Sequence, residues 1–126
     1  MRWSSVSVAM PAYAVEFAAD AERDFELIFD FLAESYRTFG ESAEEAVAHA
    51  AGRVETIRTK AAGLGNAPHR GTLHPEIMTD LRHVTIDQAI YWYSVNEATL
   101  TVRVLAIFFG GQDHVRRMLA RLLQRR

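Results

Sequence analysis

The sequence predicts an α+β domain: a short N-terminal strand, an antiparallel helical hairpin packed on an antiparallel sheet, and a closing helix, in the order β-α-α-β-β-β-α. Three observations predict it. Two amphipathic stripes at three- and four-residue spacing follow each other across Gly40 and Glu41. A loop marked by Gly65, Pro68, Gly71 and Pro75 then separates them from three runs rich in Val, Ile, Thr and aromatic residues. A last apolar stripe carries arginines mostly off its face.

Element by element, Tyr13–Phe17 alternates, with Tyr13, Val15 and Phe17 on one side, which is the period of a strand. Asp20 stands where an N-cap belongs, and Ala21, Phe25, Ile28, Phe29, Leu32 and Tyr36 make the stripe of the first helix, which Gly40 ends. Ser42-Ala43-Glu44-Glu45 is a capping box opening the second helix. Its stripe runs through Ala46, Ala50, Val54, Ile57, Ala61 and Leu64 to Gly65, and its small residues allow close backbone approach. Leu81–Asp87, Ala89–Asn96 and Leu100–Phe109 read as a β-meander with turns at Asp87-Gln88 and Asn96–Thr99. Gly110-Gly111 stops the last strand. Asp113 then caps a helix with Val115, Met118, Leu119 and Leu122 on its stripe.

The 126 residues suffice for one domain, and 49% apolar with 24% charged residues is a globular composition. Residues 12–126 read as that domain and residues 1–11 as a ragged leader, with Met10 as an alternative start. The absence of cysteine removes disulfide and thiol chemistry and fits a reducing cytoplasm. No apolar run approaches the roughly 18 residues of a membrane span, so no membrane partner is expected. The net charge of −2 conceals an asymmetry: Glu16 to Glu55 holds eleven acidic and three basic residues, Thr56 to Arg126 five acidic and ten basic. An anionic partner for the second half is one reading, a solvated acidic helix face followed by a basic tail the other.

The five histidines show neither HxxxH nor HExxH spacing, so neither a metal site nor a cofactor is expected. Gly63-Leu64-Gly65 follows a helix and lacks a third glycine, which excludes a nucleotide-binding turn.

Several segments, taken in order, resemble the RelE/ParE superfamily of toxins from type II toxin–antitoxin systems. Tyr13-Ala14-Val15-Glu16-Phe17 with Ala21-Glu22-Arg23-Asp24 is similar to the family's opening strand and helix, and Phe25 to Leu32 continues it. Ala67-Pro68-His69-Arg70-Gly71 resembles the Pro-x-Arg-Gly turn before the sheet. Leu81-Arg82 and Ile90-Tyr91-Trp92-Tyr93-Ser94-Val95 resemble the middle strands, and Val102 through His114 the last strand and exit of a ParE-like, plasmid-stabilisation subgroup. The resemblance covers residues 13–122 and rests on order and spacing, since no single motif is specific.

This resemblance implies a cytoplasmic toxin held by a cognate antitoxin and acting either on DNA gyrase or on ribosome-bound mRNA. A RelE-like endoribonuclease would need basic groups and a proton donor around the phosphate. Arg82, Tyr93 and His114 are the candidates, but Gly110–His114 stands where the family's arginine and tyrosine follow the last strand. That departure favours a non-catalytic, ParE-like inhibitor. Its target-binding candidates are Arg70, Arg82, His114, Arg116, Arg117 and Arg121. Structural alternatives are that Arg82 satisfies the loop or pairs with Asp80, and that His114 packs at the helix start. Leu27 and Phe31, four apart and off the centre of the first helix's stripe, are the antitoxin-binding candidates; the alternative is that Phe31 reaches the C-terminal helix. A non-toxic nucleic-acid-binding module using the C-terminal arginines is the alternative outside the family.

Overall fold

The computed structural model describes residues 12–110 and 113–124, so the leader reading of residues 1–11 lies outside the described residues. The chain runs β1 (Ala14–Phe17), α1 (Ala19–Thr38), α2 (Ala43–Ala62), a 3-10 turn (Gly63–Asn66), β2 (Thr72–Leu73), β3 (Leu81–Ile86), β4 (Ala89–Asn96), β5 (Thr101–Phe109) and α3 (His114–Gln124). The five strands form one sheet in the order β1-β5-β4-β3-β2. The meander β3-β4-β5 is antiparallel, as expected, and β1 joins its far edge in parallel with β5. The loop before the meander contributes β2, a two-residue strand paired antiparallel with β3.

Local chemistry explains most boundaries. In the capping box the Ser42 hydroxyl accepts from the Glu45 amide at 3.1 Å, and the Glu45 carboxylate accepts from the Ser42 amide at 2.9 Å. Gly40, at φ 108°, ends α1 in a Schellman turn: its own amide donates to the Arg37 carbonyl and the Glu41 amide to Tyr36. Asp20 is not the N-cap. Ala18 takes that place because its amide is already bonded to the Val104 carbonyl, so α1 starts directly off β1 and Asp20 falls in the first turn. Asp87 and Gln88 turn β3 into β4 with φ of 49° and 71°, the paired positive values of a type I′ hairpin.

Both faces of the sheet are covered. On one face α1 and α2 bury Phe25, Ile28, Leu32 and Ile57 against Tyr91, Tyr93 and Val104. On the other, α3 and the segment around Ile77 and Met78 cover Trp92, Ile90, Leu105 and Phe108, with Met118 fully buried. The alternation expected of Tyr91-Trp92-Tyr93 therefore holds, yet all three are buried, because each face has its own core. The register shifts between Trp92 and Tyr93, so that Leu105 is the extra residue of a bulge in β5.

Because β1 ends at Phe17, the edge of β5 beyond Val104 lacks a strand partner there. Asp24 of α1 caps it. Its carboxylate accepts the Ile107 amide at 2.9 Å and holds Arg121 of α3 in a bidentate pair at 2.7 and 2.9 Å. Asp24 is only 3% exposed. One buried carboxylate thus joins α1, β5 and α3.

Candidate functional sites

The turn at Pro68–Gly71 is held from beneath by two of the residues singled out in the sequence. The Tyr93 hydroxyl donates to the Arg70 carbonyl at 2.6 Å, and Arg82 donates to the His69 carbonyl at 2.8 Å. Arg82 thus satisfies the loop, one of its two structural alternatives. Gly71 makes the turn possible: at φ 85° a Cβ would lie 2.3 Å from the His83 carbonyl oxygen. Tyr93 is fully buried, and burial raises its hydroxyl pKa although Arg82 and Arg70 pull the other way. At the surface the Glu97 carboxylate accepts from the Tyr13 hydroxyl at 2.5 Å and meets His69 Nε2. The bonds from His69 and Tyr13 lower the Glu97 pKa, while the Tyr13 pKa rises, chiefly through its bond to Glu97.

A second cluster lies on the opposite face and was not visible as a motif. His74, His83 and His114 gather round Trp92, with ring centroids 4.8, 4.9 and 5.6 Å from the indole. The strand register puts His83 opposite Trp92, β2 brings His74 alongside, and α3 delivers His114 from its first turn. His74 Nε2 and His83 Nδ1 are hydrogen-bonded at 2.7 Å, the donor set by the ring tautomers, and His74 Nδ1 lies 3.4 Å from a Glu76 carboxylate oxygen. Burial, reinforced by His114 and His74, pushes the His83 pKa down to about 4. Burial, then His74 and Arg117, also lowers the His114 pKa. Trp92 Nε1 and His114 Nδ1 are buried without a hydrogen-bond partner among the described residues. No group of three or more histidine or acidic side chains among the described residues could hold a metal ion.

The chemistry of this cluster follows from those shifts. A general acid or base works best with a pKa near the working pH. A ring that protonates only near pH 4 is neutral at pH 7 and a weak base. His83 is therefore a poor proton acceptor at pH 7, and its ring contacts with Trp92 and His114 dock the first turn of α3 on the sheet.

The predicted ribonuclease set does not converge. Arg82 pairs with Tyr93 across the strands, on the hairpin face, whereas His114 packs on the other face. Nor do the target-binding candidates form one patch. Arg121 is committed to Asp24, Arg117 stacks on the Phe108 ring at 4.3 Å, and Arg82 holds the loop, while Arg70 and Arg116 are exposed.

Leu27 and Phe31 are 56% and 59% exposed. They line a groove of about 200 Å³ with Ile107, Phe109 and Arg117, bounded by α1, the end of β5 and α3. Phe31 meets the Phe109 ring at 6.4 Å, and a second depression continues past Phe31 to the exposed Phe39.

No protein-family model and no curated protein matches the sequence. Solved structures do match the fold. The chromosomal ParDE toxin–antitoxin system of P. aeruginosa matches with a TM-score of 0.58 and 16% identity, over 79% of this chain and 98% of that one. The RelBE2 toxin–antitoxin complex of Mycobacterium tuberculosis gives 0.55 and 17%, over 80% and 94%. A mutant of E. coli toxin RelE in the free state gives 0.55 and 13%, over 88% and 97%. The chain has the RelE/ParE-like fold, with strand, helical hairpin, antiparallel meander and C-terminal helix as expected.

Proposed function

We propose that this chain is the toxin of a type II toxin–antitoxin pair, and that it acts as a ParE-like inhibitor of DNA gyrase, without catalysis. Fold alone does not define function. The observation that carries the ParE-like side is the division of the ribonuclease candidates: Arg82 and Tyr93 are occupied with the loop backbone on one sheet face, and His114 is packed against the His83 and Trp92 rings on the other. The antitoxin covers the groove at Leu27 and Phe31, whose large exposed apolar side chains lie beside Phe109.

Inducing the chain alone in bacteria tests the reading. Growth arrest with intact messages and a DNA-damage response is the expected result, and the purified chain inhibits gyrase supercoiling. Messages cut at the ribosome would instead assign RelE-like chemistry, and unaffected growth would point to a non-toxic nucleic-acid-binding module. Phe31→Asp is expected to weaken antitoxin binding at least about tenfold while toxicity persists. Unchanged affinity in a folded variant rules the groove out.

A further inference from the structure

We propose that α3 of one copy docks into the groove between α1 and α2 of a second copy. The proposal does not depend on the toxin reading. The groove, about 560 Å³, has an apolar floor of Phe25, Phe29 and Val54 and a rim of Glu26, Asp30 and Glu55. Its one cation, Arg58, is already spent: it pairs with Glu22 at 2.9 Å and lies 4.2 Å from the Phe25 ring centroid. None of the three rim carboxylates is in an ion pair with another described residue. An apolar trench ringed by unpaired anions fits an apolar ridge that carries cations.

The same molecule presents such a ridge. Val115, Leu119 and Leu123 of α3 are 37%, 40% and 67% exposed, and their four-residue spacing lines them along one flank. Arg116 stands seven residues before Leu123, two turns away on the same side of the helix. The sequence continues past Gln124 with Arg125 and Arg126. α3 packs on the sheet face opposite the hairpin and leaves Val115, Leu119 and Leu123 exposed, so the ridge is not seated in its own groove. The contact is therefore between molecules and joins two different patches.

Sedimentation equilibrium at low salt, up to about 100 μM, should give an average mass above the 14.2 kDa of the monomer, falling as salt is raised. Leu123→Asp should abolish association by spoiling the ridge, and the double variant Glu26→Lys/Glu55→Lys by reversing the rim. All three positions are exposed, so both proteins should fold, which circular dichroism checks. Mixing the two monomeric variants is the decisive step. One retains an intact groove and the other an intact helix, so a 1:1 heterodimer should form. A wild-type chain that stays monomeric, an association insensitive to either variant, or a mixture that remains monomeric overturns the proposal.

Discussion

Replacing Asp24 with alanine removes the acceptor on which three elements converge. The Ile107 amide, which β1 is too short to pair, loses its only acceptor, and a buried unpaired amide costs about 1–3 kcal/mol. Arg121 loses both hydrogen bonds. Breaking a fully buried ion pair costs about 3–5 kcal/mol, but the Arg121 side chain is 22% exposed and regains some hydration, which puts its share at the low end or below. The combined effect should be about 3–4 kcal/mol, a large fraction of the stability of a domain this size. Asp24→Asn keeps an acceptor for Ile107 and should cost about 1–2 kcal/mol. Arg121→Met leaves the carboxylate buried with the amide as its remaining partner and should cost about 2–3 kcal/mol. Urea unfolding at pH 7 measures each, and the double variant Asp24→Asn/Arg121→Met should cost less than the sum of its singles. An Asp24→Ala cost under about 1 kcal/mol, or strict additivity in the cycle, would refute the claim that this pair fastens α3.

The His83 ring gives a pH dependence. Its folded pKa of about 4 lies below the ordinary 6.5, so the unfolded chain binds the extra proton between those values. The contribution is fully present above about pH 6.5 and is lost as pH falls towards 4. The full difference corresponds to at most ~3 kcal/mol, and partial solvent access reduces it to about 1–2. The decline should flatten in His83→Phe when unfolding is followed from pH 7.5 to 4.5; an unchanged slope assigns it elsewhere. Gly71→Ala should destabilise by about 1–3 kcal/mol, since the side chain meets the His83 carbonyl and the backbone is left-handed. Amide exchange at Thr72 and His83 should rise with it, and a neutral substitution would contradict the tight turn.

The parts of the fold that were legible in the sequence are those encoded within a few residues. The capping box at Ser42–Glu45, the Gly40 stop and the Asp87-Gln88 turn are local chemistry, and each forms with the expected geometry. Partnerships across the chain were not legible. Four residues of β1 carry an alternation but no signal that their neighbour is β5, 87 residues on from Glu16 to Arg103. His74, His83 and His114 have no metal-like spacing, and only strand register and the docking of α3 bring them together. Asp24 is one of eleven acids between Glu16 and Glu55, and the charge count does not set it apart. Its position was informative, because with Ala21, Phe25 and Ile28 it sits on the buried stripe, where a carboxylate requires a partner.

The charge asymmetry of the sequence also changes meaning once pairing is known. Arg58, Arg103 and Arg121 of the basic half pair with Glu22, Glu16 and Asp24 of the acidic half, and Lys60 pairs with Asp87 inside the basic half, so part of the asymmetry is spent within the fold. Of the target-binding arginines among the described residues, Arg70, Arg116 and Arg117 make no ion pair and no side-chain hydrogen bond, Arg117 resting only on the Phe108 ring. Each cation placed on a phosphate steepens the salt dependence of nucleic-acid binding by about 0.9 in log–log slope. If those three arginines alone contact phosphate the slope is about −3, against about −4 to −5 if all five target-binding arginines do. Binding of the chain to duplex DNA should therefore be weak and follow the shallower slope. A steep slope would mean that the internal pairs open on binding, and would favour a nucleic-acid target over a protein surface.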